Sequence, residues 1–145
     1  MTLPEYVSKD EVRKVSEQLG IRDWSKLTEP EVSEEEASKI LKAIDAREMD
    51  IPLEDFRRGL EVELEHGTMF ADANVTNNHP VLTGKIVLAH LKETMDYYKR
   101  LEVVELEGDL LKAVASKNMA KIESKFKKLV QAREELARAE REALK

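Results

Sequence analysis

Two of the three histidines sit three residues from a glutamate, in mirrored order: Glu63-Leu64-Glu65-His66 and His90-Leu91-Lys92-Glu93. At helical spacing each pair places a carboxylate and an imidazole next to one another on one face. Such side chains suit a divalent metal (zinc, iron or manganese) with Glu63, His66, His90 and Glu93 as ligands. Tyr97 is a further ligand or hydrogen-bond partner. The Glu63/His66 spacing resembles half of the motif in carboxylate-bridged di-metal bundles. That motif needs two Glu-x-x-His helices and two more glutamates, and only one pair here has that order. The competing reading is a structural polar cluster, with His90 paired to Glu63 or Glu93 and His66 beside a helix C-terminus. Metal-free acid–base chemistry is the third. His79, before Pro80, reads as a turn or cap residue. Glycine-rich phosphate loops, nucleophile elbows and a His-Glu-x-x-His motif are all missing from the sequence.

The elements that must carry these residues read as helices throughout. The spacing predicts a helix over 9–19, with Ser8 as N-cap and Gly20 as its stop. After a connector holding Trp24, the capping-box pattern Ser33-Glu34-Glu35-Glu36 opens a second helix. Asp50-Ile51-Pro52 interrupts it. A third helix runs from Leu53 to His66, with Phe56, Leu60 and Leu64 inward and Gly67 as its stop. Residues 67–79 are polar and form a loop longer than most connections, the kind that often carries function. A fourth helix opens near Pro80 and continues to about Val104. Counting 100° per residue, its solvent stripe is Lys85, Lys92, Asp96 and Lys99, and His90 falls about 40° from the middle of the buried face. Gly108 marks a possible break. Residues 109–143 are strongly helical, interrupted around 115–118, with Met119, Ile122, Phe126, Leu129 and Leu136 as an apolar seam. No strand pattern or repeat appears.

The fold class is therefore all-α: a bundle of about five to six helices with a long C-terminal amphipathic helix. The 145 residues suit one domain, divided into N-terminal helices (1–52), a core (53–105) and a C-terminal extension (106–145).

Composition narrows the partners. With no cysteine there are no disulfides and no thiolate metal sites. Residues 1–10 lack the character of a signal peptide and no apolar run is long enough for a membrane span, so the expected setting is cytoplasmic. The net charge of −6 hides an asymmetry: residues 110–145 hold ten Lys/Arg against five Asp/Glu. An acidic body argues against general nucleic-acid binding, because neutralising phosphates needs a basic surface. The basic stretch from Lys112 to Lys128 remains a candidate for an anionic partner, and the seam over 109–145 for a protein partner or a homodimer.

The stretch from Asp55 to Thr68 (DFRRGLEVELEHGT) is distinctive, as are Asn74-Val75-Thr76-Asn77, Leu82-Thr83-Gly84-Lys85-Ile86 and Ala89-His90-Leu91-Lys92-Glu93 with Asp96-Tyr97-Tyr98. Together, over about 53–105, they resemble a small microbial domain family of unknown function, found across bacteria, archaea and phage. The resemblance implies a compact helical domain and no known activity. Its pattern coincides with Glu63, His66, His90, Glu93, Tyr97 and Tyr98. It tends to carry Asp where this chain has His79 and Pro where it has Met95, which implies that the fourth helix continues unbroken here. The tail beyond Gly108 lies outside it. The favoured function is a non-enzymatic interaction or structural module. The alternatives are a metal-binding protein using the Glu/His cluster and an anion adaptor using the basic C-terminal segment.

Overall fold

The computed structural model describes residues 7–145, and every regular element among them is helical. The reading of residues 1–10 falls in part outside them. Six α-helices follow in order: α1 (Lys9–Leu19), α2 (Glu34–Ala43), α3 (Leu53–Met69), α4 (Pro80–Glu93), α5 (Tyr97–Ala115) and α6 (Met119–Ala143). Single 3-10 turns lie at Trp24–Lys26 and Ala71–Ala73. No helix is long and apolar enough to cross a membrane. The chain divides into two units, one ending at Lys92 and the other spanning Glu93–Lys145.

In the first unit, local signals set the helix ends. The Ser8 hydroxyl accepts from Glu11 N–H at the start of α1, and Gly20 closes it in the left-handed conformation at φ 63°. Gly20 N–H caps the Glu17 carbonyl. Such a φ costs a residue with a Cβ, which is why glycine ends the helix there. Ser33 and Glu36 form the full capping box at α2. Val12, Trp24, Ile40, Phe56, Leu60 and Val87 are wholly buried and form the centre of this unit. Gly84 admits α4 to it: a Cβ there would meet Ile40 Cγ2 at 2.8 Å and Ile44 Cγ2 at 3.2 Å.

One buried carboxylate joins these pieces. Glu36 accepts from Arg22 Nε at 2.9 Å, Arg22 Nη2 at 2.8 Å, Trp24 Nε1 at 3.2 Å and Ser33 N–H at 3.0 Å. Burial works against its ionisation. The hydrogen bonds from Arg22, Ser33 and Trp24 outweigh burial and pull its pKa down to about 2. A second carboxylate, Glu61 on α3, accepts from Val32 N–H at 3.1 Å and from Arg57 at 2.7 Å, tying the α2 entry to α3.

Two expectations for α3 and α4 are corrected. Gly67 does not stop α3, which continues to Met69. The glycine is needed for another reason: a Cβ there would overlap Asn78 Oδ1 and lie 2.9 Å from Asn74 Nδ2. It is a site of close loop approach inside the last helical turn. Nor does the fourth helix run on to Val104. It ends at Glu93, and α5 starts at Tyr97. The Thr94 hydroxyl donates to Asp96 Oδ1, Tyr97 N–H closes a turn onto the Thr94 carbonyl, and Arg100 grips both Asp96 oxygens at 2.9 and 2.7 Å. A threonine and an aspartate that can bond locally compete with the helical ladder, so the turn forms without proline at 95.

His79 caps α4, as the sequence predicts. Its imidazole Nδ1 accepts from Leu82 N–H at 3.3 Å, and its carbonyl accepts from Thr83 N–H and the Thr83 hydroxyl, each at 2.9 Å. Burial depresses the imidazole pKa, only partly offset by the charge of Glu11.

In the second unit, α5 and α6 form an antiparallel hairpin. Leu106, Leu129 and Ala132 make its core, with Val103 and Leu110 packed against them. The turn falls at 116–118 as expected, where Lys117 is left-handed and the Asn118 side chain caps α6 by accepting from Lys121 N–H at 3.1 Å. Gly108 does not break α5, which passes straight through it. The apolar seam read on α6 splits. Leu129 is buried and Ile122 and Leu136 are half-buried, whereas Met119 and Phe126 face solvent.

Two stability predictions follow from the caps and the carboxylate. Glu36→Gln lowers unfolding free energy by about 2–3 kcal/mol in chemical denaturation at neutral pH, the scale of hydrogen bonds to a charged group. Glu36 titrates lower in the folded chain than its ordinary 4.5, so its contribution is complete above that pH. It is lost as pH falls toward 2, and the Gln variant lacks that acid limb. His79 acts in a different window. Its folded pKa lies below the ordinary 6.5, so the unfolded chain binds more protons just beneath that value. Stability is therefore complete above about 6.5 and falls as pH drops below it. His79→Asn, a neutral cap, flattens that slope.

Candidate functional site

Glu63 lies on α3 and His90 on α4, and the fold brings them together: His90 Nε2 stands 3.5 Å from Glu63 Oε1. Glu63 is the more enclosed, with its side chain 15% exposed against 30% for His90. His90 is thus half-buried, less enclosed than its place on the helical wheel predicts. The wheel assumed one continuous helix through Tyr97, and the turn at Thr94–Asp96 ends that phase. At 3.5 Å the approach is longer than a well-formed hydrogen bond.

His66 lies on α3, three residues beyond Glu63. It is exposed, and its carbonyl accepts from Phe70 N–H at 2.9 Å as α3 completes its final turn. It makes no ion pair with a described residue. Glu93 is the last residue of α4 and exposed. Tyr97 opens α5 and meets Tyr98 edge-on, with ring centroids 5.2 Å apart; Tyr98 is buried. Among the described residues, no group of three or more His, Cys, Asp or Glu is gathered closely enough to hold a metal ion. The Glu63–His90 contact links α3 to α4 through an imidazole and a carboxylate.

The basic stretch is partly neutralised by its neighbours. Lys125 donates to Asp109 at 2.6 Å and Lys127 to Glu123 at 2.6 Å, while Lys112 lies 3.8 Å from Asp109. A shallow cavity of about 350 Å³ at the hairpin turn is lined by Asp109, Lys112, Ser116, Lys121 and Lys125.

Two features escape sequence reasoning. The first is the role of Arg22 and Trp24 as partners of Glu36: they sit 14 and 12 residues away from it, and only the capping-box half of its contacts has a local signature. The second is the organisation of the 70–79 segment. Asn77 and Asn78 are both left-handed, at φ 49° and 62°, and Asn74 donates to both the Gly67 carbonyl and Asn78 Oδ1. The asparagine content was the available signal, since asparagine tolerates this conformation better than most residues.

The family model described as "Protein of unknown function (DUF5661)" matches residues 12–107, and the chain belongs to that family. The match takes in α1 and α2, wider than the 53–105 stretch that carries the resemblance, and stops before α6. No curated protein and no solved structure matches the chain.

A double-mutant cycle with Glu63→Gln and His90→Gln tests the contact. The expected coupling is about 0.5–1 kcal/mol in chemical denaturation. Protein purified without chelator should carry no stoichiometric zinc, iron or manganese. One metal per chain, lost in a folded His90→Ala variant, would establish a metal centre that includes His90.

Proposed function

We propose that this member of a family of unknown function is a non-enzymatic interaction module that pairs with a second copy of itself through the outer face of the α5–α6 hairpin. The observation that carries this reading is the apolar surface there. Val104, Leu111, Val114, Met119, Phe126 and Val130 are each at least half exposed, and they account for six of the twelve large apolar side chains exposed among the described residues. Val104 and Leu111 are seven residues apart on α5, as are Met119 and Phe126 on α6, so each pair lies along one line of its helix. A strip of this kind, kept in water, marks an interaction surface.

A second copy fits the charges flanking the strip. The first part of α6 carries Lys121, Lys125, Lys127 and Lys128 with Glu123 alone as an acid. The second part carries Glu134, Glu135, Glu140 and Glu142 with three arginines. Two such helices laid antiparallel set the basic half of each against the more acidic half of the other, which is the self-complementarity an isologous pair requires. The contact between α3 and α4 supports a structural part for Glu63 and His90 within such a module.

Sedimentation of the full chain tests the proposal. It should be dimeric at micromolar concentration, and Phe126→Glu should make it monomeric with helicity unchanged. Cutting the chain at Gly108 is the poorer test, because α5 passes through that residue. A full-length chain that is monomeric across the micromolar range overturns the reading.

A further inference from the structure

In the first unit, the last turn of α3, the start of α1, residues 25–28 and the 70–79 segment border an open polar cavity of about 260 Å³. Lys9, Thr28, Thr68, Asn74 and Asn78 line it, with Leu27 as an apolar wall. We propose that this cavity binds a small monocarboxylate, with the Lys9 ammonium and the Asn78 side-chain amide holding the carboxylate oxygens.

Four observations converge on it. The cavity wall is built at a conformational cost: Asn77 and Asn78 are consecutive left-handed residues, a conformation that side chains rarely adopt twice running. Gly67 exists in this wall because a Cβ would collide with Asn78 and Asn74, so the asparagines are pressed against the helix in one arrangement. Asn78 is 7% exposed, and its Oδ1 is occupied by Asn74 Nδ2 at 2.9 Å. Its own Nδ2 donor has no acceptor among the described residues, yet is not sealed from solvent, since the sealed and unpartnered side-chain atom among them is Asp23 Oδ2. That donor is therefore reached by solvent, and Asn78 is one of the residues that line the cavity. Lys9 makes no ion pair with a described residue, so its charge is available to a ligand.

The charge selects the ligand. One ammonium and one amide match a singly charged planar carboxylate. A phosphate carries roughly twice that charge at neutral pH. Residues 1–92 hold 12 Lys/Arg against 19 Asp/Glu, an acidic field that penalises the second negative charge. The volume holds about nine waters at their liquid volume of ~30 Å³, enough for a short-chain or small aromatic acid. Leu27 gives its apolar body a surface.

Amide NMR of the full chain tests this, with butyrate, benzoate and inorganic phosphate as probes at constant ionic strength. At least one of the two carboxylates should produce saturable shifts at Lys9, Gly67, Asn74 and Asn78 at millimolar concentration, with phosphate much weaker. Lys9→Gln, a change to an exposed side chain that leaves the fold intact, should weaken binding about tenfold, and Asn78→Ala similarly. Lys14→Gln, on the same helix, should leave it unchanged. No saturable shift at these amides with either carboxylate overturns the proposal. So does an equal response to phosphate, or an equal loss in Lys14→Gln.

Discussion

The Glu36 carboxylate is the constraint on which the first unit depends. Four donors from three places in the chain converge on it: Arg22 twice, Trp24 and the backbone of Ser33. A carboxylate out of contact with water is costly unless its oxygens are filled, and here they are. The same side chain completes the capping box that starts α2 and receives the indole that fills the space beneath α1. Helix initiation and core packing are thus coupled through one residue. Loss of its charge would weaken the hold on Arg22 and Trp24, and with them the connector between α1 and α2.

Much of this fold is legible in the sequence, because helix ends are written in local chemistry. Ser8 with Gly20 and Ser33 with Glu36 each satisfy groups within a few residues, so type and spacing suffice to place them. The misreadings come where a distant partner decides. Gly67 looks like a stop, yet its helix continues, because the glycine answers asparagines of the following segment and not its own helix end. The break at Thr94–Asp96 is local but was masked by the absence of proline. Met95 permits a helix, and the bonds among Thr94, Asp96 and Arg100 override that permission.

The candidate site divides along the same line. The pairing of Glu63 with His90 follows from their faces and needs only that α3 and α4 lie side by side, whereas the gathering of four ligands requires His66 and Glu93 to share a height with them. His66 instead sits exposed on a helix that extends past it. The seam on α6 fails in the same manner. A spacing of three and four identifies apolar residues but cannot say which line faces α5, and Leu129 takes that place while Met119 and Phe126 remain outside. What the sequence presents as one apolar seam is a core line plus an exposed line, and the proposed pairing between copies uses the exposed line.

The most direct measurement of that pairing is an isotope-filtered NMR experiment on a mixture of labelled and unlabelled full-length chains, which records contacts only between copies. Cross-copy contacts from the Phe126 ring to the methyl groups of Met119, Val130 or Leu111 are the predicted result. A dimer whose cross-copy contacts lie elsewhere, or a sample with none at all, would contradict the assignment of the α5–α6 outer face as the surface through which this protein acts.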